Sequence, residues 1–164
     1  MQPKDFVFKY ITSAKNVQLK TGVPFLVTLV QAAVESKWGD VAPGFNFFGV
    51  KSEHGILDNS QLLLTHEYLD NPNVKFPKIV NVVQKGKRVY EYTVYDYFRK
   101  YDTAEDGFMD HAEFLVKNER YKEALSLKDP VEVLEGIAKA GYATDPNYES
   151  LLVRVAGMIQ KYTI

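Results

Sequence analysis

Cysteine is absent from all 164 residues, which removes disulfide frameworks, thiolate nucleophiles and cysteine-ligated zinc from consideration. An excess of charge of either sign is missing too. Twenty basic against twenty-one acidic side chains leave a formal charge of -1, so no global field draws the chain to nucleic acid or to an anionic membrane. Long apolar runs are lacking: the longest uncharged stretch, Thr21 to Val34, is too short to span a bilayer and is broken by Pro24. The opening Met1-Gln2-Pro3-Lys4-Asp5 has no apolar segment of the signal-peptide kind. Histidine is sparse. His54, His66 and His111 are too scattered to set two ligands on one helix face, and neither a metal nor another cofactor is expected. His111-Ala112-Glu113 looks like a deaminase fragment, but the cysteines it would need are missing. A glycine-rich phosphate loop, a serine elbow and internal repeats are likewise absent.

What is present suffices for one packed core: 46% of the residues are hydrophobic and 13% aromatic. A single domain over residues 1–164 is expected, as a monomer. Phe6, Val7, Tyr10, Ile11, Ala14 and Val17 recur at helical spacing after Pro3, which predicts a helix from about residue 4 to about 19. A second helix is predicted from Phe25 to about Trp38, stopped by Gly39; its first ten residues carry no charge, the mark of a buried helix. Residues 40–60, punctuated by Pro43-Gly44, Asn46, Gly49, Gly55 and Asp58-Asn59, read as a long loop. Between about residues 61 and 97 the pattern is that of strands, with Gln84 to Lys87 as a turn and with Pro72 and Pro77 limiting pairing between the first two runs. Helix returns after Tyr101: Thr103 to Asp106 has the capping-box form, and Asp129-Pro130 and Asp145-Pro146 each set a capping aspartate before a first-turn proline. The fold class is α+β, a mainly helical lobe with a small antiparallel β-hairpin lobe inserted after the second helix.

The segment Gln31 to Gly39 carries the strongest chemical signal. A carboxylate, Glu35, sits in the last turn of an otherwise apolar helix, close to the only tryptophan, Trp38. Burial and the negative end of the helix dipole both disfavour its charged form, as a general acid for glycosidic cleavage requires. On the local pattern alone a structural role, with Glu35 paired to Lys37 or a distant arginine, comes first, since a single carboxylate at a helix end is common.

This run, followed by Asn46-Phe47-Phe48-Gly49-Val50-Lys51, resembles the signature of the glucosaminidase group of peptidoglycan hydrolases, glycoside hydrolase family 73, which includes flagellar rod-cap hydrolases and autolysins. Thr65-His66-Glu67-Tyr68, Tyr97 to Asp102 and Gly141 to Tyr148 agree in order, so the likeness covers nearly the whole chain. It implies a lysozyme-like fold and hydrolysis of the β-1,4 bond between N-acetylglucosamine and N-acetylmuramic acid. It also assigns Glu35 as general acid and Glu67 as a second carboxylate acting as base or charge stabiliser. Tyr142 matches a tyrosine at the sugar, and Asn46, Phe48 and Tyr68 join it as expected substrate-binding residues. Each has a plainer reading: Glu67 as a solvated strand charge, Tyr142 as a core aromatic, Asp145 as a helix cap. A muramidase or lytic transglycosylase using the same acid, and a non-catalytic wall-binding module, are the alternatives. The expected partner is the peptidoglycan strand, met in the periplasm or wall. Without a signal peptide, the routes there are phage-lysin-like release, injection into a neighbouring cell, or a place in a longer protein.

Overall fold

A computed structural model describes residues 1–53 and 58–164. His54 and Gly55, named above, lie outside the described residues. The chain divides into two compact units, a helical one made of Met1–Phe48 with Tyr101–Ile164, and a sheet unit of Gly49–Lys100.

In the helical unit, α1 runs Pro3–Thr21 and buries Phe6, Val7, Tyr10, Ala14 and Val17. Pro3 suits its first turn because the proline nitrogen has no hydrogen to leave unpaired. Gly22, at φ +80°, ends the helix by donating its N–H to the Gln18 carbonyl. Helix α2, Phe25–Glu35, is buried at every residue from Leu26 to Ala33 and packs against α1, α3, α5 and α6. It stops about three residues before the predicted end at Trp38. The Ser36 hydroxyl donates to the Ala32 carbonyl and accepts the Gly39 N–H, and Lys37, Trp38 and Gly39 all take left-handed φ values, so the chain reverses at once. Left-handed backbone costs a non-glycine residue energy. Here the edge-on contact of Trp38 with Phe6, ring centroids 5.7 Å apart, helps to hold it.

A single 3₁₀ turn, Pro43–Phe45, interrupts the following loop. Helix α3, Ala104–Lys117, begins as predicted, with Thr103 Oγ1 accepting the Asp106 N–H. A second 3₁₀ turn (Glu119–Tyr121) and the short α4 (Lys122–Leu125) precede α5, Pro130–Lys139, which is capped by Asp129 accepting the Val131 N–H. Helix α6 spans Tyr148–Gln160. The Asp145-Pro146 pair does not start it: Asp145 accepts the Asn147 N–H in a local turn, and helix begins only at Tyr148. An aspartate-proline pair has the same local signature in both settings.

The sheet unit holds three antiparallel strands in the order β1-β3-β2, with β1 Ser60–Leu69, β2 Lys78–Gly86 and β3 Val89–Arg99. Strand β2 continues through Gly86, so the reversal falls on Lys87 and Arg88 rather than on the predicted Gln84 to Lys87. The central strand alternates, burying Tyr92, Val94, Asp96 and Phe98. The Tyr92 hydroxyl donates to the Asn71 carbonyl and accepts the Val74 N–H, fastening the proline-containing link between β1 and β2. Among the described residues, no helix is long and apolar enough to cross a membrane.

Candidate active site

Gln31 and Glu35 are four residues apart on α2 and share the face turned to α6. Tyr148, the first residue of α6, donates its hydroxyl hydrogen to Glu35 Oε1 at 3.0 Å. The Tyr148 hydroxyl oxygen in turn accepts from Gln31 Nε2 at 3.2 Å. Gln31 Oε1 lies 2.9 Å from Nε2 of His111 on α3, extending the chain of polar contacts to a fully buried histidine. Aromatic rings enclose the chain. Phe48 stacks on His111 with centroids 3.7 Å apart, Tyr142 meets His111 edge-on, and Tyr142 lies parallel to Tyr148 at 5.7 Å.

Burial raises the Glu35 carboxyl above its ordinary pKa of 4.5, and the Tyr148 hydrogen bond pulls the other way without cancelling it. Its place at the carboxyl end of α2 adds to the upward push. Glu35 keeps substantial accessible surface although protein crowds it on several sides. Accessible area measures whether a substrate can reach the group, whereas the surrounding protein sets its field, and an acid catalyst needs both. Oε2 has no hydrogen-bond partner among the described residues. Tyr148 and Tyr142 are raised above the usual phenol range, chiefly by burial, so Tyr148 stays a neutral hydroxyl donor at ordinary pH. Burial also drives His111 down to about 3, keeping its ring neutral.

The remaining candidates fall in different places. Asn46 is buried at 4% exposure, Phe47 joins the core, and Phe48 packs on His111. Tyr142 is half-buried between Tyr121 and Tyr148, both a packing residue and a neighbour of Glu35. In the sheet unit, Glu67 is not a plain solvated strand charge. It stands opposite Tyr92 in the β1–β3 register, and Lys51 Nζ reaches both Glu67 Oε1 at 2.6 Å and Asp96 Oδ2 at 3.1 Å. Partial burial would lower the Lys51 pKa, but its hydrogen bonds to the two carboxylates prevail and raise it, so the clamp stays charged. Tyr68 projects from the opposite face of β1, where its hydroxyl bonds Glu91. Sequence reasoning passed over Tyr148, Gln31, His111, Lys51 and Asp96. One signal was available for Gln31: a polar side chain one turn before Glu35 in an otherwise apolar helix.

The raised pKa of Glu35 links acidity to stability. A native pKa above the unfolded one gives a contribution fully present below about pH 4.5 and lost as pH rises through the native value. Glu35→Gln removes the ionisation and keeps an acceptor for Tyr148. Its melting temperature, relative to the unaltered protein, is therefore expected to improve between pH 4 and pH 8, as scanning calorimetry across that range would show.

Comparison with known proteins supplies further findings. The family described as glucosaminidase, mannosyl-glycoprotein endo-β-N-acetylglucosaminidase, matches residues 11–163. Peptidoglycan hydrolase FlgJ of Pseudomonas aeruginosa is 30% identical over 166 residues, covering 96% of this chain and 37% of that protein. Exo-glucosaminidase LytG of Bacillus subtilis is 30% identical over 146 residues, covering 84% of this chain and 44% of the relative. The chain thus spans less than half the length of these relatives. The glycoside hydrolase domain of Salmonella typhimurium FlgJ superposes with a TM-score of 0.73 at 25% identity, over 98% of this chain and 90% of that one.

Proposed function

The chain belongs to the glucosaminidase family, and from that premise we propose that it hydrolyses bacterial cell-wall peptidoglycan at the β-1,4 bond between N-acetylglucosamine and N-acetylmuramic acid. Two relatives named as a peptidoglycan hydrolase and a glucosaminidase support the substrate class and, with it, action at the wall or periplasm. The observation that carries the reading is Glu35 itself. It is an accessible carboxyl with a raised pKa, with one oxygen held by Tyr148 and the other without a hydrogen-bond partner among the described residues.

In this reading Glu35 passes its proton to the glycosidic oxygen as the bond to the anomeric carbon breaks. Water then adds to that carbon. Glu67, oriented by Lys51, takes the water proton or steadies the positive charge that develops on the sugar. Tyr142, Asn46 and Phe48 contribute ring faces and an amide to hold the sugar. Tyr68, facing away from Glu67, would have to meet the glycan at a separate point.

Product analysis tests the proposal. Digested peptidoglycan is expected to give muropeptides ending in reducing N-acetylglucosamine. Reducing N-acetylmuramic acid would make the enzyme a muramidase, and 1,6-anhydro ends a lytic transglycosylase. Binding to wall without release of fragments would leave only a binding module.

A further inference from the structure

The buried end of the Glu35 hydrogen-bond chain has a direction that its atoms dictate. Tyr148 has one hydroxyl hydrogen, and it is given to Glu35 Oε1. The Tyr148 oxygen can then only accept from Gln31, which turns the Gln31 amide nitrogen towards α6 and its carbonyl oxygen towards α3. A carbonyl oxygen facing His111 Nε2 at 2.9 Å needs a hydrogen there. A neutral imidazole carries one ring hydrogen, so its tautomer is set. Gln31 is fully buried and His111 is 3% exposed, so water has little access to rearrange the chain.

We infer that His111 and Gln31 are positioning residues: the Nε2–H form of His111 locks the Gln31 amide so that Tyr148 must donate to Glu35 Oε1, which leaves the transferable proton of Glu35 on Oε2. This rests on the reading of Glu35 as the acid. A carboxylic acid whose Oε1 already accepts a hydrogen keeps its own hydrogen on the other oxygen, the one without a partner among the described residues. With the opposite chain polarity, Tyr148 would donate to Gln31, and Glu35 could turn its proton inward to the Tyr148 oxygen, away from any glycosidic bond. His111 thus acts two hydrogen bonds behind Tyr148, as a fixed donor rather than as a proton carrier. Its low pKa suits that role, because a ring that stays neutral keeps a single hydrogen. In the helical unit, the titratable groups facing Glu35 are Tyr148 on α6 and Tyr142 in the segment before it; those facing His111 are Asp110 on its own helix and Tyr142.

His111→Phe keeps a flat ring against Phe48 but removes the donor, so the Gln31 amide is no longer locked: turning its oxygen towards Tyr148 exchanges an unpaired oxygen for an unpaired Nε2–H, and both orientations become populated. The expected result is an unusual pair of changes. The Glu35 carboxyl titrates at higher pH, since its anion loses a donor, and the alkaline limb of the kcat profile moves up with it. Yet kcat falls about tenfold, the scale of one lost charge-assisted hydrogen bond, with little change in KM. His111→Gln, which offers an N–H in place of Nε2–H, should restore both. A merely structural histidine would lower the amount of folded enzyme without moving either titration.

Two measurements need no turnover: the pH titration of the Glu35 carboxyl carbon by NMR, and the nitrogen-15 shifts that tell Nε2–H from Nδ1–H in the unaltered protein. If the protein failed to cleave wall, the proposed function would fall while these still tested the chain. An Nδ1–H tautomer in the unaltered protein would overturn the inference, as would a folded His111→Phe protein whose Glu35 titration is unchanged.

Discussion

Glu35→Gln is expected to slow wall hydrolysis by about 10²–10⁴-fold, the range that a positioned general acid contributes, with the protein still folded. The leaving group at a glycosidic bond is a sugar alkoxide, which departs poorly unless protonated as the bond breaks. Among the described residues, Glu35 is the carboxyl that Tyr148 and Gln31 hold, and the amide that replaces it has no proton to give. The amide retains the volume and one acceptor oxygen, so Tyr148 keeps its partner and binding of the glycan should change little. The decisive readout is therefore a fall in kcat at nearly constant KM, measured on purified peptidoglycan alongside a melting curve. Activity within a few-fold of the unaltered protein would remove Glu35 from the acid's role.

What the sequence shows locally at Glu35 is its setting, one charge closing a long uncharged stretch beside the single tryptophan; the role proposed for it came from the motifs shared with the family. The three strands were legible for a similar reason, since side-chain alternation is written along each of them. The groups that orient Glu35 were not. Gln31 and Tyr148 lie 117 positions apart in the chain, and His111 joins them from a third helix, so only packing brings them together. The end of α2 was misread because the Ser36 hydroxyl joins its own N–H on the Ala32 carbonyl and accepts the Gly39 N–H, closing the helix over three left-handed residues that spacing arguments cannot foresee. The plainer alternative for Glu67, a solvated strand charge, stood open because Lys51, which approaches it from 16 residues earlier, carries no local signal of the contact.

The second large effect is expected at Gly107, buried in the first turns of α3. A Cβ placed there would collide with the Phe45 carbonyl oxygen and lie 3.4 Å from a ring carbon of Tyr101. The obstacle is backbone, and it is not free to withdraw alone, because the adjacent Gly44 carbonyl accepts the Tyr101 N–H at 2.8 Å. Gly44 and Phe45 already sit at left-handed φ values of +59° and +54°. Gly107→Ala must therefore shift the Pro43–Phe45 turn, and with it Phe47 in the core and Phe48 on His111. Overpacking of this kind costs about 1–3 kcal/mol, and at about 2–4 °C per kcal/mol for a chain of this size the melting temperature should drop by roughly 2–12 °C. Catalysis should suffer beyond the loss of stability, since Phe48 is one wall of the chain behind Glu35. Gly157 in α6 is the control. It is exposed, nothing lies within 4 Å of a Cβ there, and Gly157→Ala should instead stabilise the helix by about 0.5–1 kcal/mol. Opposite shifts of the two variants in one calorimetric series are the expected outcome, and a Gly107→Ala protein that melts as late as the Gly157→Ala one would mean that the turn does not rest on α3 at this point.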